Sequence, residues 1–336
     1  MELSKITILI VTLNNKRTLC NCLKSIQEQD YPKQLIEYLN VDGGSTDGSV
    51  TIMKKFGFKV VPSPIKRNAE AQRAVGVKLA QNKLIVSLDA DNYLPNKNWL
   101  RQMVKPFLEN PNLVHANTLH YTYRQEDSIF NRYCALFGTV DPIVYYIGRP
   151  DRLSWIFNQW RLGENIENRG SYFLVRFSEK TLPTVGCNGV VYRKDLLLKY
   201  TKSKPRQFTH IDVFIDLIRK GYQEFAVVKN DIIHDTAHSF KNLLKKRMLF
   251  LSEYYFKQNR ERRYKIYDPT KIPDNLKLLL FIVYTLTIIK PLVDSFRGYL
   301  RIRDLAWFLH PFVCFIYLFA YGQASLKHLF LRKQDG

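Results

Sequence analysis

A short apolar run at residues 84–88, Leu-Ile-Val-Ser-Leu, stops abruptly at two aspartates, Asp89 and Asp91. Side chains of a β-strand alternate between the two faces of a sheet, so residues two apart share a face. Two carboxylates on one face repel each other unless a cation lies between them. Because Mg²⁺ binds carboxylate oxygens and keeps sites open for phosphate, the run predicts a strand end that holds a metal-bound diphosphate. A polar turn is the alternative, since Asp and Asn favour such positions.

The N-terminal part of the chain alternates between strands and helices. Strands are predicted at 6–12, 38–41, 58–61 and 84–88, and a helix at 69–80. This alternation indicates an α/β fold with a Rossmann-like, mixed and mostly parallel sheet flanked by helices. Ligands of such sheets bind beyond the carboxyl ends of the strands. Asn14, Asp42 and the aspartates Asp89 and Asp91 all fall at these ends.

The charge of the chain points to a polyanionic partner. The 336 residues carry a formal net charge of +21, which favours nucleic acid, an anionic membrane or phosphate-bearing substrates as partners. The sequence has no zinc-finger spacing and no aromatic RNA-binding signature. Basic residues are dense around the C-terminal apolar segments, so we expect an anionic membrane surface and no nucleic acid.

The C-terminal part predicts helices that associate with a membrane. Residues 240–255 set Leu243, Leu244, Met248 and Leu251 against Lys241, Lys245, Lys246 and Arg247. This pattern predicts a basic amphipathic helix in a membrane interface, and a surface helix of a domain is the alternative.

Residues 276–293 and 305–323 are apolar, and each approaches the roughly 20 residues that span a bilayer. They either cross as two helices or dip in as a re-entrant hairpin, with buried helices of a soluble domain as the alternative. The N-terminal apolar stretch at 6–13 is short and lacks a cleavage region, so we expect no signal peptide and a cytoplasmic N-terminal domain.

Several segments resemble, in order, motifs of the inverting family 2 glycosyltransferases with the GT-A fold. They are ITILIVTLNN, VDGGSTDGS, the helix from Asn68 to Ala80, LDADN, GCNGVVYR and HIDVFIDLIRKGY. LDADN is similar to the metal-binding DxD motif. The chain departs from the pattern at Gly43, which stands where the family has a second aspartate, and in lacking a proline in the first motif. The resemblance covers about residues 5–110 and 182–235.

The resemblance implies a role for each matching residue. Thr12, Asn14 and Asp42 would hold the nucleoside of a nucleotide-sugar donor, and Arg73 would face its diphosphate. Asp89 would reach the ribose or the metal. For Asn14 and Asp42 the alternatives are a polar strand end and a helix-capping turn; for Arg73 the alternative is a solvated helix face.

Asp91 would ligate Mg²⁺ or Mn²⁺, with Asp89 beside it and His234 completing the metal shell. A structural histidine is the alternative for His234. The loop containing Asn188 and Gly189 would lie on the acceptor side.

The resemblance leaves the catalytic base open. An inverting transfer needs one base to deprotonate an acceptor hydroxyl. Counted back from Gly221, the family's base aspartate falls on His210, and Asp212 lies two residues later. A neutral imidazole is able to serve. We favour Asp212 slightly over His210. The alternative for His210 is helix capping or packing, and the alternative for Asp212 is a charge at a helix N-terminus.

The expected domains follow from these segments. Residues 1–237 would form the catalytic domain, with an aromatic-rich insertion at 115–180 on the acceptor side. Residues 238–273 would form the amphipathic helix and a linker, and residues 274–336 the two apolar membrane helices or hairpin.

Together these features predict a membrane-attached hexosyltransferase (EC 2.4) of glycolipid or polysaccharide biosynthesis. It would move a sugar from a nucleotide-diphosphate sugar to a lipid-linked acceptor at the cytoplasmic membrane face. Polyprenyl phosphate and a lipid-linked glycan are both open as acceptors. The alternatives are a sugar nucleotidyltransferase, which also uses carboxylates and a metal, and a catalytically silent membrane scaffold with the same fold.

Overall fold

The computed structural model describes residues 3–236, 240–251 and 262–334. The chain divides into two compact units, residues 1–122 with 160–235 and residues 123–159 with 236–336. The division differs from the predicted domains, because the internal segment 123–159 groups with the C-terminal part of the chain. The first unit contains the sheet, and the second unit contains the apolar C-terminal helices.

The strands of the first unit share one sheet. In chain order they are β1 (Ile6–Thr12), β2 (Ile36–Asp42), β3 (Lys59–Pro62), β4 (Leu84–Asp89), β5 (Asn92–Tyr93), β6 (His115–Tyr121), β7 (Glu164–Asn168), β8 (Tyr172–Arg176), β9 (Val190–Arg193) and β10 (Glu224–His234). Across the described part of the sheet their order is β3-β2-β1-β4-β9-β6-β10-β8-β7, with β5 paired to β10.

The strands that end in predicted site residues run in one direction. β1 pairs in parallel with β2 and β4, and β6 with β10. β9 lies antiparallel between β4 and β6, so β4 and β6 also share a direction. The carboxyl ends of β1, β2, β4, β6 and β10 therefore meet at one edge. The predicted α/β fold with a mixed sheet flanked by helices is confirmed.

Helices cover the sheet of the first unit and build most of the second. Among the described residues they are α1 (Lys16–Gln27), α2 (Ser49–Lys55), α3 (Ala69–Leu79), α4 (Trp99–Glu109), α5 (Ile129–Phe137), α6 (Pro142–Ile147), α7 (Lys194–Tyr200), α8 (Asp212–Arg219), α9 (Phe240–Phe250), α10 (Ile272–Thr287), α11 (Ile289–Arg301) and α12 (His310–Gln334). Short 3-10 turns lie at Lys33–Leu35 and Leu305–Leu309.

Helix α3 is fixed at its start and along its length. The Asn68 side chain accepts a hydrogen bond from the Ala71 N–H at 3.0 Å and caps the helix. A Cβ on Gly76 would lie only 2.3 Å from Leu9 Cδ1 of β1. The glycine therefore lets α3 pack closely on the sheet, and this packing positions the side chains of the first helical turn.

The predicted insertion at 115–180 contributes to both units. Its first residues form β6, and β7 and β8 form an antiparallel hairpin of the sheet. Between them, α5 and α6 belong to the second unit. Every residue of β7 is exposed, so this edge strand lacks the apolar alternation that identifies a strand in a sequence.

The second unit contains the predicted apolar segments. Within the described residues, Leu305–Leu326, with mean hydropathy 1.6, is the one segment long and apolar enough to cross a membrane alone. Helices α10 and α11 reach that criterion only together, and they bend by 81°. The bend lies at Ile288, whose φ is 62°. The predicted segment at 276–293 is therefore not one straight helix.

Helix α9 begins where the amphipathic helix was predicted. Its Arg247 donates a hydrogen bond at 2.7 Å to the buried carboxylate of Asp141. Arg247 thus forms an ion pair inside the second unit and does not belong to a lipid-facing basic surface. The side chains of Leu243 and Lys246, and the predicted end of the helix at 252–255, lie outside the described part of the chain.

Candidate functional site

The carboxyl edge of the sheet brings together the polar residues that end β1, β2 and β4. Thr12 and Asp42 face each other in the β1–β2 register. Val11 pairs with Asp89 in the β1–β4 register. The three predicted residues Thr12, Asp42 and Asp89 are therefore neighbours because their strands are parallel.

Asp42 organises the loop that follows β2. Its Oδ2 accepts the backbone N–H groups of Gly44 and Ser45, both at 2.8 Å. Its Oδ1 accepts the hydroxyls of Ser45 at 2.5 Å and Thr12 at 2.9 Å. Burial favours the neutral carboxyl, but these hydrogen bonds outweigh burial and lower the pKa of Asp42. Thr12, only 1% exposed, lies beneath this carboxylate and supports it.

Asn14 links the loop after β1 to the loop after β2. It is exposed and adopts a left-handed conformation with φ of 56°. Its Oδ1 accepts the Thr46 N–H at 2.8 Å, and its own N–H donates to Ser45 Oγ at 2.9 Å. Asn14 and Asp42 therefore border the same loop, where the nucleoside is predicted to bind.

Gly43, the departure from the family pattern, packs against Gln72 of α3. A Cβ at Gly43 would lie 2.9 Å from Gln72 Nε2. That nitrogen donates to the carbonyl oxygens of Thr12 at 2.7 Å and Val41 at 2.9 Å. A larger side chain at this position would displace an amide that ties α3 to two strands, which explains the glycine.

Arg73 faces the strand edge from α3. Its Nη2 donates to Asp89 Oδ1 at 2.6 Å, and its Nη1 donates to Glu70 Oε1 at 3.0 Å. Arg73 is buried, so it does not lie on a solvated helix face. Its guanidinium is fixed between two carboxylates beside the predicted diphosphate position.

Glu70 is a site residue that the sequence did not reveal. Its Oε2 accepts the His210 backbone N–H at 2.7 Å, and its Oε1 lies 2.8 Å from His210 Nδ1. Glu70 is only 6% exposed. The contact joins the first turn of α3 to a residue two positions before α8, and nothing in either local segment indicates the pairing.

The Glu70–His210 pair shifts the pKa of both groups. Burial raises the pKa of Glu70, but His210 and Arg73 outweigh burial and lower it to about 2. Burial lowers the pKa of His210, but the Cys187 sulfur and the Glu70 carboxylate outweigh burial and raise it to about 10. At neutral pH the pair is therefore a carboxylate and an imidazolium.

Asp91 and His234 approach each other at the ends of β4 and β10. His234 Nε2 lies 3.6 Å from Asp91 Oδ1. β5 pairs with β10 so that Asn92 faces His234, and this pairing fixes the turn after Asp89. Two of the predicted metal ligands are thus brought together.

The donor atoms at this turn fit a divalent cation. Carboxylate oxygen and imidazole nitrogen are ligands of Mn²⁺, and Mg²⁺ is bound through one or two carboxylates plus phosphate oxygens. Among the described side chains, no three His, Cys, Asp or Glu residues are grouped to hold a metal by themselves. A cation here therefore depends on oxygens of a bound diphosphate in addition to Asp91 and His234.

The predicted acceptor loop is fixed to three strands. Asn188 Nδ2 donates to the Tyr121 hydroxyl at 3.1 Å, and the Tyr121 ring lies 5.3 Å from the His234 ring. The Gly189 N–H donates to the Ser87 carbonyl oxygen at 3.1 Å. Gly189 has φ of 64°, and a Cβ on it would lie 2.0 Å from Ile232 Cδ1. Only glycine fits at this point.

The two candidate bases differ in accessibility. Asp212 begins α8 and is 1% exposed. The His210 side chain is 21% exposed. Of the two, His210 is the one that reaches the molecular surface.

The contacts together form a ring that starts and ends at the Asp89–Asp91 turn. One side passes through Arg73, Glu70 and His210, and the other through His234, Tyr121 and Asn188. The ring closes where His210 lines the same small cavity as Cys187, the neighbour of Asn188. The ring sets three carboxylates, a guanidinium and two imidazoles at one edge, which suits the binding of a metal-bound diphosphate beside a second group.

Known proteins share sequence with part of this chain. The model of glycosyl transferase family 2 matches residues 7–200. Glycosyltransferase AglE of Haloferax volcanii is 24% identical over 133 residues, which are 38% of this chain and 43% of that protein. A dolichyl N-acetyl-alpha-D-glucosaminyl phosphate 3-beta-D-2,3-diacetamido-2,3-dideoxy-beta-D-glucuronosyltransferase of Methanococcus voltae is 29% identical over 108 residues, 30% of this chain and 33% of that protein. The chain thus spans less than half the length of either relative.

A solved structure extends the comparison to the fold. Mannosyltransferase PcManGT from Pyrobaculum calidifontis, in complex with GDP-Man and Mn²⁺, is 14% identical, with coverage of 97% of this chain and 87% of that chain. The TM-score is 0.52. The predicted GT-A fold is confirmed.

Proposed function

Because the chain belongs to glycosyl transferase family 2, we propose that it is an inverting, metal-dependent enzyme that transfers a sugar from a nucleotide-diphosphate sugar to a lipid-linked acceptor. The acceptor is a polyprenyl phosphate or a lipid-linked glycan at the cytoplasmic membrane face. The observation that carries the proposal is the Asp89–Asp91 turn, where one carboxylate contacts Arg73 and the other lies beside His234.

The donor binds along the edge of β1, β2 and β4. Asn14 and Asp42 hold the nucleoside, with Thr12 positioning the Asp42 carboxylate. Arg73 places a positive charge beside the diphosphate and is itself held by Glu70. The complex of the Pyrobaculum enzyme with GDP-Man supports a nucleotide-sugar donor.

Asp91 and His234, with Asp89 beside them, would hold Mg²⁺ or Mn²⁺ together with oxygens of the bound diphosphate. A cation held there would supply positive charge next to the departing diphosphate. The chain contributes by fixing Asp91 and His234 through the pairing of β5 with β10. The presence of Mn²⁺ in the Pyrobaculum structure supports this choice of cofactor.

The acceptor binds at the loop containing Asn188 and Gly189. A hydroxyl acceptor would need His210 or Asp212 as its base. The name of the Methanococcus relative includes a dolichyl phosphate, which supports a lipid-linked acceptor. The apolar segment Leu305–Leu326 supports attachment to a membrane.

Replacing Asp91 tests the proposal. Asp91→Asn removes a carboxylate from the cation site, and we expect nucleotide-sugar turnover to fall at least about 100-fold, because bound metal supplies several kcal/mol of transition-state stabilisation. The assay measures nucleoside diphosphate release from a panel of nucleotide sugars, with Mn²⁺, Mg²⁺ or EDTA. Asp30→Asn is the control, since the Asp30 side chain is 64% exposed in the loop before β2. Unchanged turnover and metal dependence in Asp91→Asn would contradict the proposal.

The same assay separates the alternatives. A sugar nucleotidyltransferase would release pyrophosphate and not nucleoside diphosphate. A catalytically silent scaffold would release neither product with any donor of the panel. Release of nucleoside diphosphate that requires both the metal and an acceptor is the result expected for the glycosyltransferase.

A further inference from the structure

Glu70 fixes His210 through two separate hydrogen bonds. One oxygen accepts the backbone N–H at 2.7 Å and the other lies 2.8 Å from Nδ1. Both the main chain and the ring of His210 are therefore held by one buried carboxylate. Arg73 donates to the same carboxylate at 3.0 Å, so the group cannot move without disturbing the Asp89 side of the ring.

The charges of this network favour a protonated imidazole. Glu70 and Asp89 together carry two negative charges, and Arg73 carries one positive charge. A protonated His210 beside Glu70 supplies the second positive charge. The other titratable groups around His210 are Cys187, Tyr192 on β9 and Asp212 on α8. None of these adds a positive charge that would make the imidazole neutral.

A protonated imidazole cannot accept a proton from an acceptor hydroxyl. The other candidate base, Asp212, is almost completely buried. A nucleophile that is already ionised needs no base. The His210 side chain is 21% exposed, so a protonated ring can contact an anion that binds at the surface.

We infer that the nucleophile is an oxygen of a phosphate monoester, and that His210, held by Glu70, attracts this anion and does not remove a proton. The inference rests on the proposed function and selects polyprenyl phosphate over a glycan hydroxyl as the acceptor class. His210 is then an anion-binding residue, and Glu70 is a positioning residue.

The reaction balances without a base. A phosphate oxygen attacks the anomeric carbon from the side opposite the diphosphate. The bond from that carbon to the diphosphate oxygen breaks, and its electron pair leaves with the nucleoside diphosphate. The product is a glycosyl phosphodiester with inverted configuration. Since the second pKa of a phosphate monoester is about 6, the attacking group is largely a dianion at neutral pH.

The first test compares acceptors with the unaltered full chain in detergent. A polyprenyl phosphate, the matching polyprenol and a lipid-linked glycan are supplied with the same donor and metal, and products are identified by mass spectrometry. We expect a glycosyl phosphodiester from the phosphate and no transfer to either hydroxyl acceptor. Transfer to a hydroxyl at an equal or higher kcat/KM would overturn the inference and keep the proposed function. Absence of donor turnover with every acceptor would overturn both.

The second test uses Glu70→Gln, with Glu179→Gln as the matched control. Glu179 forms an exposed ion pair with Arg219. Loss of the Glu70 carboxylate lowers the pKa of His210, so the imidazole loses its charge. We therefore expect KM for the phosphate acceptor to rise about 10- to 100-fold, which corresponds to the loss of one charge-assisted hydrogen bond. This rise should develop with increasing pH, while kcat changes little.

His210→Gln distinguishes the two roles of the imidazole. If His210 binds the anion, His210→Gln raises KM for the acceptor at all pH values. The control variant Glu179→Gln leaves this KM unchanged. Loss of a general base would instead lower kcat by about 10²- to 10⁴-fold with KM little altered. The second pattern would overturn the inference. Thermal unfolding of each variant verifies that it is folded.

Discussion

At the scale of single residues, Glu70 and His210 make the stability of the fold depend on pH. The raised pKa of His210 contributes stability that is complete below about pH 6.5 and is lost as pH rises through about 10. The lowered pKa of Glu70 contributes stability that is complete above about pH 4.3 and is lost as pH falls through about 2. Both contributions are complete between about pH 4.3 and about pH 6.5. We therefore expect the unfolding midpoint of Glu70→Gln to lie furthest below that of the unaltered protein in this interval. Thermal unfolding from pH 5 to 10 measures the difference, and a difference independent of pH would contradict the prediction.

Residues at strand ends were predictable, and residues paired across distant segments were not. Asp42, Asp89 and Asp91 follow apolar runs, and parallel strands must bring their carboxyl ends together. Glu70 stands in an ordinary helical turn, and its partner His210 lies 140 residues away in sequence. Such a pairing depends on how α3 and α8 pack on the sheet, which neither segment encodes by itself.

At the scale of elements, the N-cap of α3 controls two residues of the site. Asn68 caps the helix that carries both Glu70 and Arg73. We expect Asn68→Ala to lower the free energy of unfolding by about 1 kcal/mol and to raise KM for the donor by loosening the first turn. Chemical denaturation and steady-state kinetics measure the two effects. Asn68→Asp retains a capping oxygen and should restore most of the stability; equal losses in both variants would argue against capping.

The buried elements were more predictable than the exposed ones. β1 and β4 are continuous apolar runs, and the structure has them within one residue of the predicted bounds. The hairpin of β7 and β8 was missed because β7 is exposed along its whole length and its sequence, ENIEN, has no apolar face. Strand β10 extends to His234, and its last residues pair with the short strand β5.

At the scale of the whole molecule, the apolar surface of the second unit predicts membrane attachment. Large side chains of α10 are exposed, among them Leu276, Leu279 and Leu286, and water would be an unfavourable solvent for them. We expect the full-length protein to sediment with membranes, to resist extraction by high salt and to dissolve in detergent. Recovery of the full chain in the supernatant without detergent would show that the apolar helices serve another purpose.

The bend at Ile288 would limit how deeply this part of the chain could enter a bilayer. Helix α10 has 16 residues and α11 has 13, so at 1.5 Å per residue they measure about 24 and about 20 Å, short of a hydrocarbon core of about 30 Å. A pair bent by 81° would occupy a single leaflet and act as a wedge that spreads its head groups apart. We therefore expect tighter binding to small, highly curved vesicles than to large flat ones, and equal affinity for both in a flotation assay would refute this geometry.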